Sequence, residues 1–337
     1  MGIFTYCTRR IVSTIPVVIG VTFLAFVISH VVVPNPAHVW AGPKADPSTV
    51  AAIAARYHLN DPLYLQYFYY LRDLVKGDLG VSPVSGQPVS VGLISHFPAT
   101  LELAVVAIVI TVSLGIPLGV LAAVHKDQPA DYGIKIFYLS GVSSPPFLVC
   151  LGLLLVLFYY LRIFPSSGQL SPFVQPPPTI TGMILVDAIL AGQINVFLDA
   201  LRHIVLPAMA LALTTFGYVT RLTRSSMIDA LNRDYVRTAY AKGLSDRTVI
   251  YGHALRNALI STTTVIGLFF GGLLSGAIVV ETIFDWGGIG WYATQAILAL
   301  DFPSIMGVTI VFTLVVVTTN LLVDISYLVL DPRIRLE

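Results

Sequence analysis

The sequence predicts an all-α membrane protein with six transmembrane helices, and its composition and its pattern both support that fold class. Hydrophobic residues make up 56% of the 337-residue chain and charged residues 11%, and the mean hydropathy is +0.82. A soluble domain carries about 25% charged residues. The apolar residues also form long runs, and a helix needs about 20 of them to cross a hydrocarbon core of roughly 30 Å. The six predicted spans cover Ile11 to Val33, Thr100 to Val124, Ile134 to Leu161, His203 to Leu222, Leu259 to Phe284, and Pro303 to Leu330.

The basic residues predict the orientation of these spans. Cytoplasmic loops retain Lys and Arg, and with six spans one side of the membrane holds thirteen of the nineteen Lys and Arg residues. That side carries both termini and a polar island between spans four and five, in which seven basic residues lie from Arg221 to Arg256. Both termini and the island are therefore predicted to be cytoplasmic.

The sequence predicts one membrane domain with structured loops. The predicted parts are an N-terminal transmembrane helix at 1–33, an extracytoplasmic segment at 34–98, a core at 99–330 with spans two to six and a cytoplasmic loop at 225–258, and a cytoplasmic tail at 331–337. The segment at 34–98 is too long for a simple connection. Within it, Asp61 as a cap, Pro62 as the first residue and Gly77 past the end predict a helix. This segment either shields the outer ends of the spans or contacts a substrate or partner.

Two outer loops contain short apolar stretches. Ile180 to Ala191 is only about twelve residues long and contains Asp187, so it predicts an interfacial or re-entrant helix rather than a seventh span. A glycine-rich turn at 287–290 precedes the stretch from Trp291 to Leu300. This pattern predicts a turn followed by an interfacial helix.

Small residues and a few carboxylates mark contacts inside the spans. Glycines four residues apart allow close helix packing, which serves contacts within the chain, a pairing surface or the lining of a pathway. Glu102 follows Thr100 and is interpreted as favouring the positive end of its own helix dipole. Glu281 and Asp324 are expected to need partners. The glycine pairs are Gly115 with Gly119, Gly267 with Gly271, and Gly272 with Gly276.

Signatures of catalysis and of ligand chemistry are missing from the sequence. It contains no G-x-x-x-x-G-K-[ST], no H-E-x-x-H and no G-x-S-x-G, and its seven histidines are scattered. A G-x-G-x-x-A pattern from Gly288 to Ala293 lacks the βαβ unit of a dinucleotide site. Cys7 and Cys150 are not expected to pair, and no basic stripe with interleaved aromatic residues indicates nucleic acid. The chain is therefore expected to have no catalytic residues, no metal site and no cofactor of its own.

The polar island predicts two short helices joined by a tight corner. From Ser225 to Ala241 apolar residues recur at helical spacing, so an amphipathic helix outside the bilayer is expected. Gly243 supplies the left-handed residue that ends a helix, and Ser245 can cap the next one. The apolar stripe needs a place to be buried, either on anionic lipid or in a groove of a cytoplasmic protein. It consists of Met227, Ile228, Leu231, Tyr235, Val236 and Ala239.

The run DYVRTAYAKGLS from Asp234 to Ser245, continuing to HALRNA at 253–258, resembles the coupling loop of ATP-binding-cassette (ABC) importer permeases, specifically of the dipeptide and oligopeptide branch. The wider family consensus begins E-A-A and has a glycine six positions after its first residue, which maps to 237–239 and Gly243. Of these positions, only Ala239 and Gly243 are kept. Further segments similar to the B-type permease occur in the expected order at 64–82, 202–208, 281–290, 324–327 and 331–335.

The resemblance implies a function and a set of partners. The chain would be one transmembrane subunit of a binding-protein-dependent peptide importer in the cytoplasmic membrane of a prokaryote. It would form half of the translocation pathway and pair with a second homologous permease subunit, two ATPase subunits and an extracytoplasmic substrate-binding protein. ATP and Mg would bind to the partner ATPases, and this chain would not be an enzyme.

In that family the coupling loop inserts into a cleft on the ATPase. The residues expected to meet the ATPase are Tyr235, Ala239, Gly243 and Leu244, with Arg237 and Lys242 at the rim. Peptides are the first expectation for the cargo, with oligosaccharides or nickel as alternatives, and no substrate-binding residue is assigned. A stand-alone secondary transporter or channel is disfavoured, because few ionisable residues lie inside the spans.

Overall fold

The structure, a computed structural model, describes residues 3–32, 36–42 and 45–330, and most of these residues are helical. Within them, the only extended pairing is one bridge between Val81 and Pro88. π-Helical turns follow α7 at Leu154–Tyr160 and precede α11 at Thr248–Ala254. The α-helices are α1 (Ile3–Val32), α2 (Pro36–Ala41), α3 (Pro47–Arg56), α4 (Leu63–Val75), α5 (Val89–Val124), α6 (Pro129–Ser143), α7 (Pro146–Leu153), α8 (Ile184–Leu190), α9 (Ile194–Leu231), α10 (Asp234–Ala241), α11 (Leu255–Gly276), α12 (Ile278–Ile283), α13 (Ile289–Leu298) and α14 (Phe302–Leu330).

Some predicted features lie outside the described residues. They include the tail at 331–337 with its motif at 331–335, and the boundary placed between residues 33 and 34. The side chains of Cys7 and Asp324 also lie outside the described set. The expectations for these positions remain predictions.

Four helical stretches of the described chain are long and apolar enough to cross a bilayer. A fifth is obtained if α6 and α7, which are bent by 110°, count as one span. In α1, the side chains that the structure describes form an apolar stretch at Val12–Ile28. The chain is therefore a multi-pass helical membrane protein. The four stretches are Val89–Val124, Ile194–Leu231, Thr248–Leu274 and Phe302–Val323.

The third predicted span is wrong as one continuous helix. α6 ends at Ser143 and α7 begins at Pro146, with the 110° bend between them. A proline has no N–H for the helical ladder, and its ring drives the preceding residue out of the helical region. Ser144 and Pro145 accordingly have ψ values of 133° and 139°. The two consecutive prolines thus explain the break.

The second span starts earlier than predicted. α5 begins at Val89 and contains Pro98, although the sequence placed the start of the span at Thr100. Val89 and Leu93 are buried in one cluster with Ile289 of α13. This packing supports helix on both sides of the proline, an instance of tertiary contacts overriding local propensity.

The predicted amphipathic helix from Ser225 to Ala241 is divided between α9 and α10. Asn232 ends α9 and donates a side-chain N–H to the carbonyl of Ile228 at 2.9 Å. Arg233 is extended, with ψ 151°, so the chain turns before α10. The predicted fifth span is also divided, at Ala277 between α11 and α12, which the sequence pattern does not indicate.

The contact between α5 and α9 depends on glycine. A methyl group added at Gly119 would lie 2.8 Å from the carbonyl oxygen of Thr220, and one added at Gly115 would lie 2.9 Å from Val219. A methyl group at Gly271 of α11 would lie equally close to α14. These small-residue positions therefore serve contacts within the chain.

Two buried carboxylates join the helices near one end of the bundle. Glu102 lies in the middle of α5 and accepts the backbone N–H of Leu185, in α8, at 2.7 Å. The interpretation that Glu102 serves its own helix dipole is therefore wrong, because that helix starts much earlier. Glu281 accepts the hydroxyl of Thr100 at 2.7 Å and the N–H of Trp291 at 3.0 Å. The partner that Glu281 was expected to need is thus present.

The segment at 34–98 is here called the outer segment after its predicted location. Its described residues form three short helices, α2 to α4, before α5 begins at Val89, and hydrogen bonds tie it to the bundle. Trp40 donates its ring N–H to a main-chain carbonyl just before α14 at 2.8 Å. Ser82 donates its hydroxyl to the buried carboxylate of Asp301. Asp61 does not cap α4, because Pro62 lies at the N-cap position with ψ 141°. The segment is therefore a folded part of the molecule rather than a loose connection.

Candidate coupling surface

The predicted coupling residues lie on α10 and on the corner that follows it. α10 is eight residues long and lies between the end of α9 and the π-helical turn that leads into α11. Asp234 occupies its first turn, where a carboxylate favours the positive end of the helix. The residues predicted from the sequence thus fall on one short element and its turn.

Gly243 ends α10 in a Schellman motif. The N–H of Leu244 donates to the carbonyl of Ala239 at 3.3 Å, and the N–H of Gly243 donates to the carbonyl of Tyr240 at 2.9 Å. These are the two hydrogen bonds that define the motif. Gly243 has φ +78°, and the space around it is open. The backbone angle, and not crowding, therefore requires glycine at this position.

Side-chain and main-chain hydrogen bonds cross the same corner. Partial desolvation and the nearby negative charge of Asp246 raise the pKa of the Tyr240 hydroxyl, so this side chain stays neutral. The hydroxyl of Ser245, expected to cap the next helix, lies 3.0 Å from that of Thr248. The carbonyl of Ser245 accepts the N–H of Val249 at 3.0 Å. The corner is thus held at several points.

The inner face of α10 is buried within the chain. Ala239 is only 5% exposed and Val236 is also buried, and both pack against the ends of α5 and α9 and against the π-helical turn. The expectation that this stripe needs an external surface is wrong for these two residues, because the chain itself covers them. The cluster contains Val120, Ala123, Met227, Ala230, Val236, Ala239, Val249, Ala254 and Ala258.

The outer face presents aromatic, aliphatic and basic side chains. Ala239 is not part of it, although the sequence grouped Ala239 with the contact residues. Tyr240, which is 44% exposed on α10, and Tyr251, which is exposed on the neighbouring π-helical turn, were missing from the predicted set. The sequence does carry an indication for Tyr240, because this residue directly follows Ala239 of the predicted apolar stripe. We define the coupling surface as the exposed residues Tyr235, Arg237, Tyr240, Lys242, Gly243, Leu244 and Tyr251.

An ion cluster around the buried carboxylate of Asp131 ties the end of α9, which leads into α10, to α6. Arg224 donates two hydrogen bonds of 2.7 Å to the carboxylate of Asp131, and the ammonium group of Lys135 lies 2.9 Å from the same carboxylate. Bidentate pairs of this kind are among the stronger charge-assisted hydrogen bonds. Asp131 and Arg224 are 93 residues apart in sequence, so the pattern of the island alone did not indicate this contact.

The chemistry of the coupling surface suits contact with another protein. Tyrosine and arginine are enriched where proteins meet. In the part of the chain that the structure describes, no group of three or more His, Cys, Asp or Glu side chains could hold a metal ion. Its exposed aromatic and basic side chains make the surface a candidate for protein recognition.

Two protein-family models match most of the chain. The model of the inner membrane component of binding-protein-dependent transport systems matches residues 115–336, which is more than half of the chain. The model of the N-terminal part of that membrane component matches residues 3–104. The chain belongs to this family. The coupling surface lies within the first match, and the outer segment of this permease lies within the second.

Individual relatives are similar over their whole length. The chain is 42% identical over 334 residues to the "Probable D,D-dipeptide transport system permease protein DdpB" of Escherichia coli (strain K12), covering 99% of this chain and 98% of the relative. It is 38% identical over 333 residues to the "Dipeptide transport system permease protein DppB" of the same strain, covering 98% of each. It is 37% identical over 331 residues to the "Oligopeptide transport system permease protein AppB" of Bacillus subtilis (strain 168), covering 98% of this chain and 99% of the relative.

Proposed function

We propose that this chain is the transmembrane permease subunit of an ABC importer for peptides. The observation that carries the proposal is the full-length similarity to permease proteins named for dipeptide and oligopeptide transport. The chain forms half of the translocation pathway, and a second homologous permease subunit forms the other half. These relatives favour peptides as the cargo over oligosaccharides and nickel.

The coupling surface is the contact with the partner ATPases. Tyr235, Tyr240 and Leu244 supply exposed apolar area for a groove on the ATPase, with Arg237 and Lys242 at the rim. Aromatic anchors surrounded by polar groups are typical of such contacts. Because ATP and Mg bind to the ATPases, this chain contributes the mechanical link and no chemistry.

The motion of the ATPases reaches the membrane through the buried side of the loop. The Schellman corner lets α10 move as a unit, since its end is fixed by hydrogen bonds. Val236 and Ala239 pass the displacement to the ends of α5 and α9. The pair between Arg224 and Asp131 extends the link to α6. Ala239 therefore acts through packing within the chain and not by touching the ATPase.

The topology follows the positive-inside rule. The chain crosses the cytoplasmic membrane of a prokaryote six times, with both termini and the coupling surface in the cytoplasm. α1 and the bent pair of α6 and α7 complete the count beyond the four long apolar helices. The outer segment then faces the extracytoplasmic binding protein that delivers the peptide.

Uptake by reconstituted vesicles tests this function. The chain is assembled with its partner permease, ATPases and binding protein, and the uptake of a labelled dipeptide is measured against unlabelled peptide, oligosaccharide and Ni²⁺ competitors. We expect uptake that requires ATP and is reduced only by peptides. If only the oligosaccharide or only Ni²⁺ reduced the uptake, that competitor rather than a peptide would be the cargo. Uptake by the purified chain without nucleotide or partners would favour a stand-alone transporter.

A further inference from the structure

A cavity of about 310 Å³ lies between the outer segment and the ends of α1 and α14. Small-molecule sites range from roughly 300 to 1,000 Å³, so this cavity suits a small ligand only. Aromatic rings form much of its wall, and two of them are fixed by hydrogen bonds of their own. Trp40 donates to the carbonyl of Leu300 at 2.8 Å, and Tyr57 donates to that of Val81 at 3.1 Å. The rings are Phe26, Trp40, Tyr57, Tyr69, Tyr70 and Phe302.

One cation and one anion on this wall lack an ionic partner within the described residues. Arg56 has no carboxylate within ion-pair distance there, and its guanidinium lies over the ring of Tyr57 at 5.7 Å. Asp78 accepts the N–H of Gly80 at 2.8 Å with one carboxylate oxygen, and no cation of the described chain pairs with it. Both groups are therefore available to a ligand.

The other charged groups of the wall are already occupied. Asp73 pairs with Arg72 at 2.9 Å, and His58 lies 3.3 Å from Asp61. The hydroxyl of Tyr70 is buried and has no hydrogen-bond partner in the described part of the chain. A buried hydroxyl is normally paired, which adds a third polar group with unused capacity to this wall.

We propose that this cavity is a binding site for a dipeptide with free termini, whose carboxylate meets Arg56 and whose ammonium group meets Asp78. The side chains of the dipeptide lie against the aromatic wall. Both groups are exposed, and a ligand with a single charge would pair with only one of them, whereas a neutral sugar would pair with neither. The inference rests on the proposed function for the peptide class, and it places a substrate site on the permease itself, between the outer segment and the ends of α1 and α14.

Capped peptides test the roles of the two charges without any substitution. L-alanyl-L-phenylalanine is titrated by calorimetry into the full chain in lipid nanodiscs, in parallel with its N-acetyl and C-terminal amide derivatives. We expect saturable binding of the free dipeptide and at least tenfold weaker binding of each capped form, because each has lost one charge. Absence of saturable binding, or equal binding of the three ligands, would overturn the proposal.

Substitutions then test whether the binding lies in this cavity. Arg56→Gln and Asp78→Asn are each expected to weaken dipeptide binding at least tenfold. Tyr64→Phe is the matched control, because Tyr64 is exposed on α4 and does not line the cavity. Thermal unfolding of each variant verifies its fold. Unchanged affinity in folded Arg56 and Asp78 variants would refute this site.

Uptake by the complete complex separates this proposal from the proposed function. If the complex takes up peptide but the chain binds no dipeptide, the proposed site is refuted and the proposed importer function is retained. Dipeptide binding that depends on both termini and on Arg56 and Asp78, without peptide uptake by the complex, supports the site and contradicts the importer.

Discussion

At the scale of single residues, Gly243 is constrained by one backbone angle. Its φ of +78° lies in the left-handed region, where a residue with a side chain costs about 1–2 kcal/mol and a β-branched residue is an outlier. Because no atom lies within 4 Å of a methyl group added there, substitutions at Gly243 change the backbone preference and little else.

Gly243→Val is expected to reduce the amount of ATPase that co-purifies with the permease, because valine disfavours the corner that sets the coupling surface. Gly243→Asn is the matched control, since asparagine tolerates the left-handed region, and it should retain most of the association. Quantitative pull-down from the same membranes measures both variants. Equal ATPase recovery with Val and Asn would show that the corner does not set the contact.

Asp131→Asn is expected to destabilise the protein by about 1.5–3 kcal/mol, because the buried carboxylate makes charge-assisted hydrogen bonds to Arg224 that an amide cannot match. Arg224 would lose its ionic acceptor, while Asp131→Asn hardly changes the volume. The thermal unfolding midpoint in detergent measures this loss. Replacing both partners, in Asp131→Leu with Arg224→Met, should recover much of the midpoint. A midpoint in Asp131→Asn equal to that of the wild type would contradict the stabilising role of the pair.

At the scale of helices, α5 and α9 can pack closely only because small residues lie at their contact. Gly119→Leu would place side-chain atoms against Thr220 and Thr223, and overpacking of this kind costs about 1–3 kcal/mol. Gly133→Leu on α6 is the control, because nothing lies within 4 Å of a methyl group there. We expect a lower unfolding midpoint for the Gly119 variant only. A matching fall in both variants would point to a general loss of helix quality.

Helices with an uninterrupted apolar pattern could be predicted from the sequence. Helix boundaries that depend on contacts with residues far along the chain could not. α14 follows its predicted span closely, since hydropathy alone specifies it. The helical state of the first turns of α5, before Pro98, is supported by contacts with α13 far along the chain. The break before α7 is marked in the sequence by Pro145 and Pro146, but the long apolar run around them predicts one continuous span.

In the candidate coupling site, too, local features could be predicted from the sequence and features that depend on long-range contacts could not. Gly243 was predictable, because the end of a helix is a local event with a residue signature. The inward position of Ala239 was not, because it depends on the ends of α5 and α9 coming together beneath α10. The burial of Asp131 against Arg224 likewise depends on the arrangement of α6 and α9.

At the scale of the whole molecule, the proposed topology places the coupling surface and the outer segment on opposite sides of the membrane. In a Cys7→Ser background, Lys242→Cys should react with a membrane-impermeant maleimide only from the cytoplasmic side. Val75→Cys, at a position 88% exposed on the outer segment, should react only from the outside. Cys150 is buried, so its background reaction should be low. Labelling of both positions from one side would contradict the six-span arrangement.

The central claim is that the coupling surface converts ATP hydrolysis on the partners into peptide movement. The most direct test is the initial rate of ATP-driven dipeptide uptake by the complete complex in proteoliposomes, compared for the wild type, Gly243→Val and Gly243→Asn. We predict that Val abolishes most of the uptake, that Asn retains it, and that the permease stays inserted in all three. Wild-type uptake by the Val variant would contradict the account.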